Sequence, residues 1–231
     1  MTDTAKPPAR DPFDLPDVST LTVGVLGGTG EQGRGLAYRW AQAGQRVIIG
    51  SRDEQRAQAV AADLGATVEG ATNVVCAARA DVVVAAVPWA GHEALLTELR
   101  TALVGKIIVD CVNPLGFDKQ GAFALAVEQG SAAQQAAELL PDSTVVAAFH
   151  HISAVLLLDD SVPTLDTDVL VLGDKREATD TVQALANRIP GLRGIYGGRL
   201  RNAAQVEAFT ANLISINRRY NAHGGVRIPV V

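Results

Sequence analysis

The apolar run Thr20-Leu-Thr-Val-Gly-Val-Leu26 ends in glycines, and the glycines open into the segment Glu31 to Gln42, where Leu36 and Trp40 stand four apart. A second apolar run follows at Arg46 to Gly50. A short strand, an immediate helix and another buried strand leave little choice: the strands lie parallel and the helix is their crossover. Gly44 stands where a left-handed residue closes such a helix.

The alternation continues along the chain. Asp53 to Leu64, rich in Ala, Gln, Glu and Arg, predicts a helix with Ser51 or Asp53 as its N-cap. Asp81 to Val87 is apolar on both faces, as a strand covered by helices on each side should be, and Pro88 opens the helix after it. Lys106 to Cys111 and Thr144 to Phe149 read as two further strands, with a loop at Asn113 to Leu125 and a helix at Ser131 to Leu140 between them. These elements predict an α/β fold, a Rossmann-type doubly wound parallel sheet over residues 20–155.

Beyond residue 155 the pattern loosens. A strand at Asp168 to Leu172, a helix at Glu177 to Arg188 and a long helix at Arg201 to Tyr220 suggest a smaller C-terminal domain over 156–231. In the last helix Val206, Phe209, Leu213, Ile216 and Tyr220 step by three and four and form one apolar face. Residues 1–19 begin with a proline-rich segment of mixed charge and no apolar core, which reads as a disordered tail; Phe13 and Leu15 offer the alternative of a segment that packs.

Composition narrows the class. A chain of 231 residues with 48% hydrophobic content builds its own core, and two cysteines in apolar segments argue for a reducing cytoplasm rather than a disulfide framework. A net charge of -5 argues against a nucleic-acid protein, and no apolar run reaches the roughly 18 residues of a membrane span. The charge is unevenly placed: from Gly191 onward six arginines face one acid, Glu207, so that region carries +5 and the remainder -10. An anionic ligand on the second domain would account for this, and so would ordinary solvated arginines.

Gly28-Thr-Gly-Glu-Gln-Gly33 has the form G-x-G-x-x-G at the join of a strand and a helix. In that context the glycines permit a tight turn and close approach of backbone to a pyrophosphate, with the N-H groups of the helix start facing the anion. The residue that reads the adenosine ribose is expected about 20 positions on. Ser51 stands 23 positions after Gly28, followed by Arg52 and, one turn later, Arg56. A carboxylate there would repel a 2'-phosphate; a hydroxyl and two guanidinium groups would bind one. The predicted cofactor is NADP rather than NAD.

Ligands of open parallel sheets bind beyond the carboxyl ends of the strands. Three such ends carry chemistry: Pro88-Trp89, Asn113-Pro114 and His150-His151. Trp89 is a wall for the cofactor or a core residue, Asn113 a ligand or a turn former before proline, and His150 or His151 a positioning group or a structural cap. Motifs for a nucleophilic serine, a Walker lysine, a zinc-binding H-E-x-x-H and C-x-x-C are all missing, as is a Y-x-x-x-K base. Metal and nucleophilic catalysis are disfavoured, which leaves hydride transfer between two cofactors, where alignment suffices.

The segments VGVLGGTGEQGRGLAYRWAQAGQRVIIGSRDEQRA, VVVAAVPW and AAFHHISA resemble the NADPH:coenzyme F420 oxidoreductases of archaea and actinobacteria from about Leu21 to the C-terminus. The resemblance implies a homodimer in which NADP lies on the first domain and an 8-hydroxy-5-deazaflavin stacks against the nicotinamide in a cleft closed by the smaller domain. By the same resemblance Thr29, Gly30, Glu31 and Gln32 form the phosphate turn, Ser51, Arg52 and Arg56 the 2'-phosphate pocket, and Trp89 a wall on the nicotinamide side. His150, Ile152 and Ala154 fall where the two rings meet, and Val226 falls near the deazaflavin. His151-Ile-Ser153 stands where relatives carry Thr-Ile-Pro. The implied activity is reversible hydride transfer between NADP(H) and coenzyme F420; a flavin or metal reductase and a non-catalytic NADP-binding sensor remain as rival readings.

Overall fold

A computed structural model describes residues 11–229. β1 (Thr22–Leu26) leads through α1 (Glu31–Gln42) to β2 (Arg46–Ser51), and α2 (Glu54–Leu64) leads on to β3 (Val68–Thr72). α3 (Asn73–Arg79) brings the chain back to β4 (Val82–Ala85) beside β1; α4 (Trp89–Leu99) and β5 (Ile107–Asp110) follow. After a hairpin, β6 (Leu115–Asp118) and β7 (Gly121–Ala124), α5 (Ala132–Leu139) leads to β8 (Thr144–Ala147). Six strands thus run parallel in the order β3-β2-β1-β4-β5-β8. The chain leaves β1 and β4 in opposite directions, so their carboxyl ends flank a crevice of the kind that binds ligands.

Both faces are buried along β1, β2, β4, β5 and β8, which is why these strands read as largely apolar runs. Val23, Val25, Val82, Val84 and Val109 pack on one side with Leu36 and Trp40 of α1. Leu26, Ile48, Val83, Ala85 and Ile108 pack on the other with Leu96 and Leu99 of α4.

The expected boundary between 155 and 156 does not separate two sheets. After the single turn α6 (Ala154–Leu157), β9 (Thr167–Gly173) pairs antiparallel with β8, and α7 (Arg176–Asn187) crosses to β10 (Leu192–Gly198), parallel to β9. One eight-stranded sheet results. The cause lies in the core: Val169, Val171, Val182 and Leu185 belong to the same cluster as the first strands. Trp40 joins the two parts directly, its indole N-H donating to the Leu185 carbonyl at 2.9 Å and its ring meeting Phe149 edge-on at 5.5 Å. A 3-10 turn at Leu200–Asn202 then opens α8 (Ala203–Tyr220).

Two other expectations change. The segment Asn113 to Leu125, expected as a loop, contains the β6–β7 hairpin, whose turn is closed by Asp118 Oδ1 accepting the N-H groups of Gln120 and Gly121 at 2.7 and 3.2 Å. Of the expected disordered tail, residues 1–10 lie outside the described residues, but Val18 is buried in the core and its carbonyl accepts the Gln45 side-chain amide at 2.9 Å. Leu15 packs on the same cluster. The stretch from Leu15 to Ser19 is therefore part of the fold.

Trp40→Ala should lower unfolding stability by about 3–5 kcal/mol, since it empties a fully buried site and removes the indole bond to the Leu185 carbonyl. Denaturant titration checks this, and a loss under about 1 kcal/mol would contradict the role given to Trp40 in joining the two parts.

Candidate active site

The turn after β1 is shaped by what cannot fit. Gly27 has φ +75°, and a Cβ there would stand 2.5 Å from the Ala86 carbonyl oxygen. A Cβ on Gly28 would lie 2.6 Å from that of Ile49, and one on Gly33 would lie 2.8 Å from the Gly27 oxygen. Gly30 is the N-cap of α1, and the bond from Arg34 N-H to its carbonyl, 2.8 Å, is the first of the helix. The N-H groups of Glu31, Gln32 and Gly33 therefore have no acceptor within the helix and open onto the crevice. Gly27, the residue with the left-handed backbone, was not singled out by the G-x-G-x-x-G pattern, which begins one residue later.

At the end of β2, Ser51 is half-buried and its hydroxyl accepts the Asp53 N-H at 3.2 Å. Asp53 caps α2, accepting the Arg56 N-H at 3.1 Å. That bond turns the nearest carboxylate towards the helix, while the side chains of Arg52 and Arg56 are exposed. The end of β2 thus offers cations and a hydroxyl where an NAD site offers an acid.

The ends of β4, β5 and β8 form a connected rim. Trp89, the first residue of α4 after Pro88, is half-buried. Asn113 donates to the His150 carbonyl at 3.3 Å and accepts the Thr210 hydroxyl of α8 at 3.1 Å. Gln32, from the start of α1, reaches the Phe149 carbonyl at 3.4 Å. Phe149 has φ +65°, a strained conformation for a bulky residue and one that concentrates at functional sites. Next to it His150 is 5% exposed, its ring nitrogens are closed off from solvent, and neither makes a well-formed hydrogen bond. Burial pushes its pKa down to about 4, so the ring is neutral at pH 7. The adjoining His151 is bonded from Nε2 to the Val206 carbonyl at 2.7 Å and lies edge-on to Phe209; burial likewise lowers its pKa.

Ile152 is buried and Ala154 begins α6. Val226 reaches this region on the C-terminal segment, where it bridges Asp168 of β9; His223, on the same segment, bonds the Ser153 hydroxyl at 3.2 Å. Asp168 takes Arg193 in a two-pronged pair at 2.9 and 2.8 Å and Arg227 at 3.1 Å, and these cations outweigh burial and hold its carboxyl below the usual range.

Residues 22–114 match the family model described as NADP oxidoreductase, coenzyme F420-dependent. The F420-dependent NADP reductase of Methanothermobacter thermautotrophicus is 40% identical over 223 residues, covering 91% of this chain and 96% of that protein. The chain belongs to this family. A solved structure from Arthrobacter sp. FB24, assigned as an F420-dependent NADP reductase, superposes with a TM-score of 0.78 at 28% identity, covering 91% of this chain and all of that one. Metalloreductase STEAP3 of Rattus norvegicus is 33% identical over 192 residues, which cover 83% of this chain and 37% of that protein. As a coenzyme F420-dependent NADP oxidoreductase, the protein uses NADP(H) and coenzyme F420.

For an oxidoreductase of this family the glycine turn, Ser51, Arg52 and Arg56 line one arm of the carboxyl edge, and Trp89, Asn113, His150, Ile152 and Ala154 lie along the rim. Val226 sits beside the rim through the His223 and Asp168 contacts. Thr210, His223 and Gly27 were missed; the first two come from segments far along the chain and carry no local signal. The basic C-terminal region is partly compensated by acids of the same fold. Arg193 and Arg227 are held by Asp168, and Arg199 lies 3.6 Å from Asp174, so half of its arginines are neutralised within the fold.

Behind the rim lie buried charges. Glu207 of α8 is 2% exposed and accepts the N-H groups of Ala132 and Ala133 at 2.8 and 3.1 Å. Burial outweighs these bonds and pushes its pKa up to about 7. The folded state therefore binds a proton that the unfolded state gives up near 4.5, and this contribution is complete below 4.5 and lost as pH rises to about 7. Relative to Glu207→Gln, the stability of the wild type should fall across that window, by up to about 1.4 kcal/mol per pH unit. Paired denaturant titrations from pH 4.5 to 8 measure it; a constant difference would refute the assignment.

Proposed function

We propose that the protein carries a hydride reversibly between NADP(H) and the deazaflavin coenzyme F420, with the 2'-phosphate of NADP held by Ser51, Arg52 and Arg56. The observation that carries the reading is the end of β2, where Asp53 turns inward as a helix cap and leaves two exposed guanidinium groups beside Ser51. Space for the cofactor backbone is supported at Gly27, Gly28 and Gly33, where a Cβ would close the turn. Together the bound cofactors supply both the donor and the acceptor carbon of the transfer.

The chain's own residues bind, orient and exclude water. Thr29, Gly30, Glu31 and Gln32 present the helix start to the pyrophosphate. Pro88 and Trp89 wall the nicotinamide side, with Asn113 fixing the backbone at His150. His150, buried and neutral, shapes the rim where the two rings would meet, its carbonyl accepting bonds from Asn113 and Thr210. Ile152, Ala154 and Val226 give the acceptor ring an apolar, water-poor surface. The segment after residue 155, although joined to the same sheet, supplies α8 and the C-terminal segment that close the acceptor side.

We further infer a homodimer. Phe209, Ile216 and Tyr220 of α8 are 41%, 41% and 69% exposed, and Phe117 and Phe123 of the hairpin are 70% and 44% exposed. A second copy would cover these apolar surfaces; sedimentation as a monomer at micromolar concentration would refute this. The cytoplasm suits both cysteines, which are buried thiols with raised pKa values. No helix among the described residues is long and apolar enough to cross a membrane.

Arg52→Ala should reduce the preference for NADPH over NADH roughly 10- to 100-fold, the worth of a charge-assisted bond. Steady-state kinetics with both dinucleotides and the deazaflavin measures this, and an unchanged preference would remove the proposed pocket. The similarity to a metalloreductase makes flavin or ferric acceptors the second reading. Turnover with FMN or ferric chelate but not with the deazaflavin would favour it, and NADPH binding without turnover would favour a sensor.

A further inference from the structure

His92, in the first turn of α4, is fully buried, and both ring nitrogens face oxygen. Asp110 Oδ2 lies 2.6 Å from Nε2, and Gln135 Oε1 lies 3.0 Å from Nδ1. An imidazole between two acceptors satisfies both only as the imidazolium. Burial disfavours that charge, but the bond and charge of Asp110, together with Gln135, outweigh it and raise the pKa. The partners are themselves fixed: Asp110 Oδ1 accepts the Val112 N-H at 3.0 Å, and Gln135 donates to Gln129 at 3.4 Å. The ring cannot turn without breaking two bonds.

What lies against this fixed ring is Trp89. The indole and imidazole centroids are 5.5 Å apart with planes inclined by 33°, and the two residues are one helical turn apart on the same face of α4. A cation against an indole attracts it through the ring quadrupole. Stability alone is a weak reason for such an arrangement, because a buried ion pair can often be replaced by apolar residues without loss. Its position is the better reason: it sits at the carboxyl ends of β4 and β5, directly behind the half-buried wall residue.

We propose that His92 is a positioning residue for hydride transfer: clamped by Asp110 and Gln135, it fixes the Trp89 indole as the wall of the nicotinamide half of the cleft. This rests on the placement of Trp89 given under the proposed function. His92 touches neither cofactor in this account and acts through the indole, so its loss should slow the transfer step more than it weakens binding.

The test is a double-mutant cycle in the full-length protein, with Asp110→Asn, Trp89→Leu and the pair, read by single-turnover oxidation of NADPH with the deazaflavin and by NADPH affinity. Asp110→Asn should slow the single turnover roughly 10-fold while NADPH affinity stays within about 2-fold, as expected for lost alignment. Trp89→Leu should also slow it, and the double variant should be no slower than the slower single one. Independent, multiplying effects would overturn the proposal while leaving Trp89 as the wall. An unchanged rate in Asp110→Asn would overturn it in the same way, and an unchanged rate in Trp89→Leu would overturn both readings. Should Asp110→Asn fail to fold, Gln135→Leu removes the second acceptor and enters the same cycle under the same criteria.

Discussion

The crevice exists because there is no side chain at Gly27. The Ala86 N-H donates to the Leu26 carbonyl at 3.0 Å, and this draws the exit of β4 against the turn after β1. The Ala86 oxygen is then so close that a Cβ on Gly27 would overlap it, and the backbone there takes the left-handed conformation that glycine alone adopts freely. Two consequences follow from this one approach. The N-H groups that start α1 point into the space between β1 and β4, and Trp89, three residues beyond Ala86, borders the same space from the opposite side. Binding groups from two crossover units therefore meet at the point where the strand order reverses.

The rim is held by polar bonds between elements that are remote in sequence. Gln32 of α1 and Thr210 of α8 both reach the segment Phe149 to His150, and Asn113 bridges the ends of β5 and β8 to α8. These bonds act where the backbone is strained. A bulky residue with positive φ costs on the order of 1–3 kcal/mol and persists only where its surroundings enforce it. At Phe149 the surroundings are the Trp40 ring on the side chain and the Gln32 amide on the carbonyl. The strain has a geometric result: the chain turns sharply after β8 and aims His150 inward.

What the sequence disclosed and what it withheld divide by range. The glycine turn, Ser51, Arg52 and Arg56 belong to one strand-helix-strand unit, so their relative places are set by covalent connection and the period of the helix. The choice between Ser51 and Asp53 as the cap stayed open because either side chain can reach the helix start; the bond to Arg56 N-H decides for Asp53. His92, Asp110, Gln135 and Glu207 show nothing in the sequence, because only the stacking of α4, α5 and α8 around β5 brings them together. The apolar run at Asp168 to Leu172 reads as a strand, but nothing local says that it pairs with β8 in one sheet rather than in a second domain. A count of arginines could not show their partners for the same reason: Asp168, far from Arg193 and Arg227 in sequence, meets both in space.

The placement of charge suits a reversible hydride transfer. A ring that gains or loses positive charge during the reaction is held in one state by any unbalanced charge beside it, and at a few ångströms in a protein that bias reaches kcal/mol. Trp89, Asn113, Ile152 and Ser153 carry no charge, and burial keeps His150 and His151 neutral at pH 7. The charges behind them are largely compensated: His92 faces Asp110, Arg193 and Arg227 face Asp168 and Asp166, and burial pushes the Glu207 carboxyl up towards its neutral form. The unbalanced cations, Arg52 and Arg56, lie instead at the end of β2, where a phosphate would meet them and the reacting carbons would not. On the proposed placement of NADP, affinity would lie at one end of the dinucleotide and alignment at the other, so the groups that bind the cofactor tightly would not favour its oxidised or its reduced form.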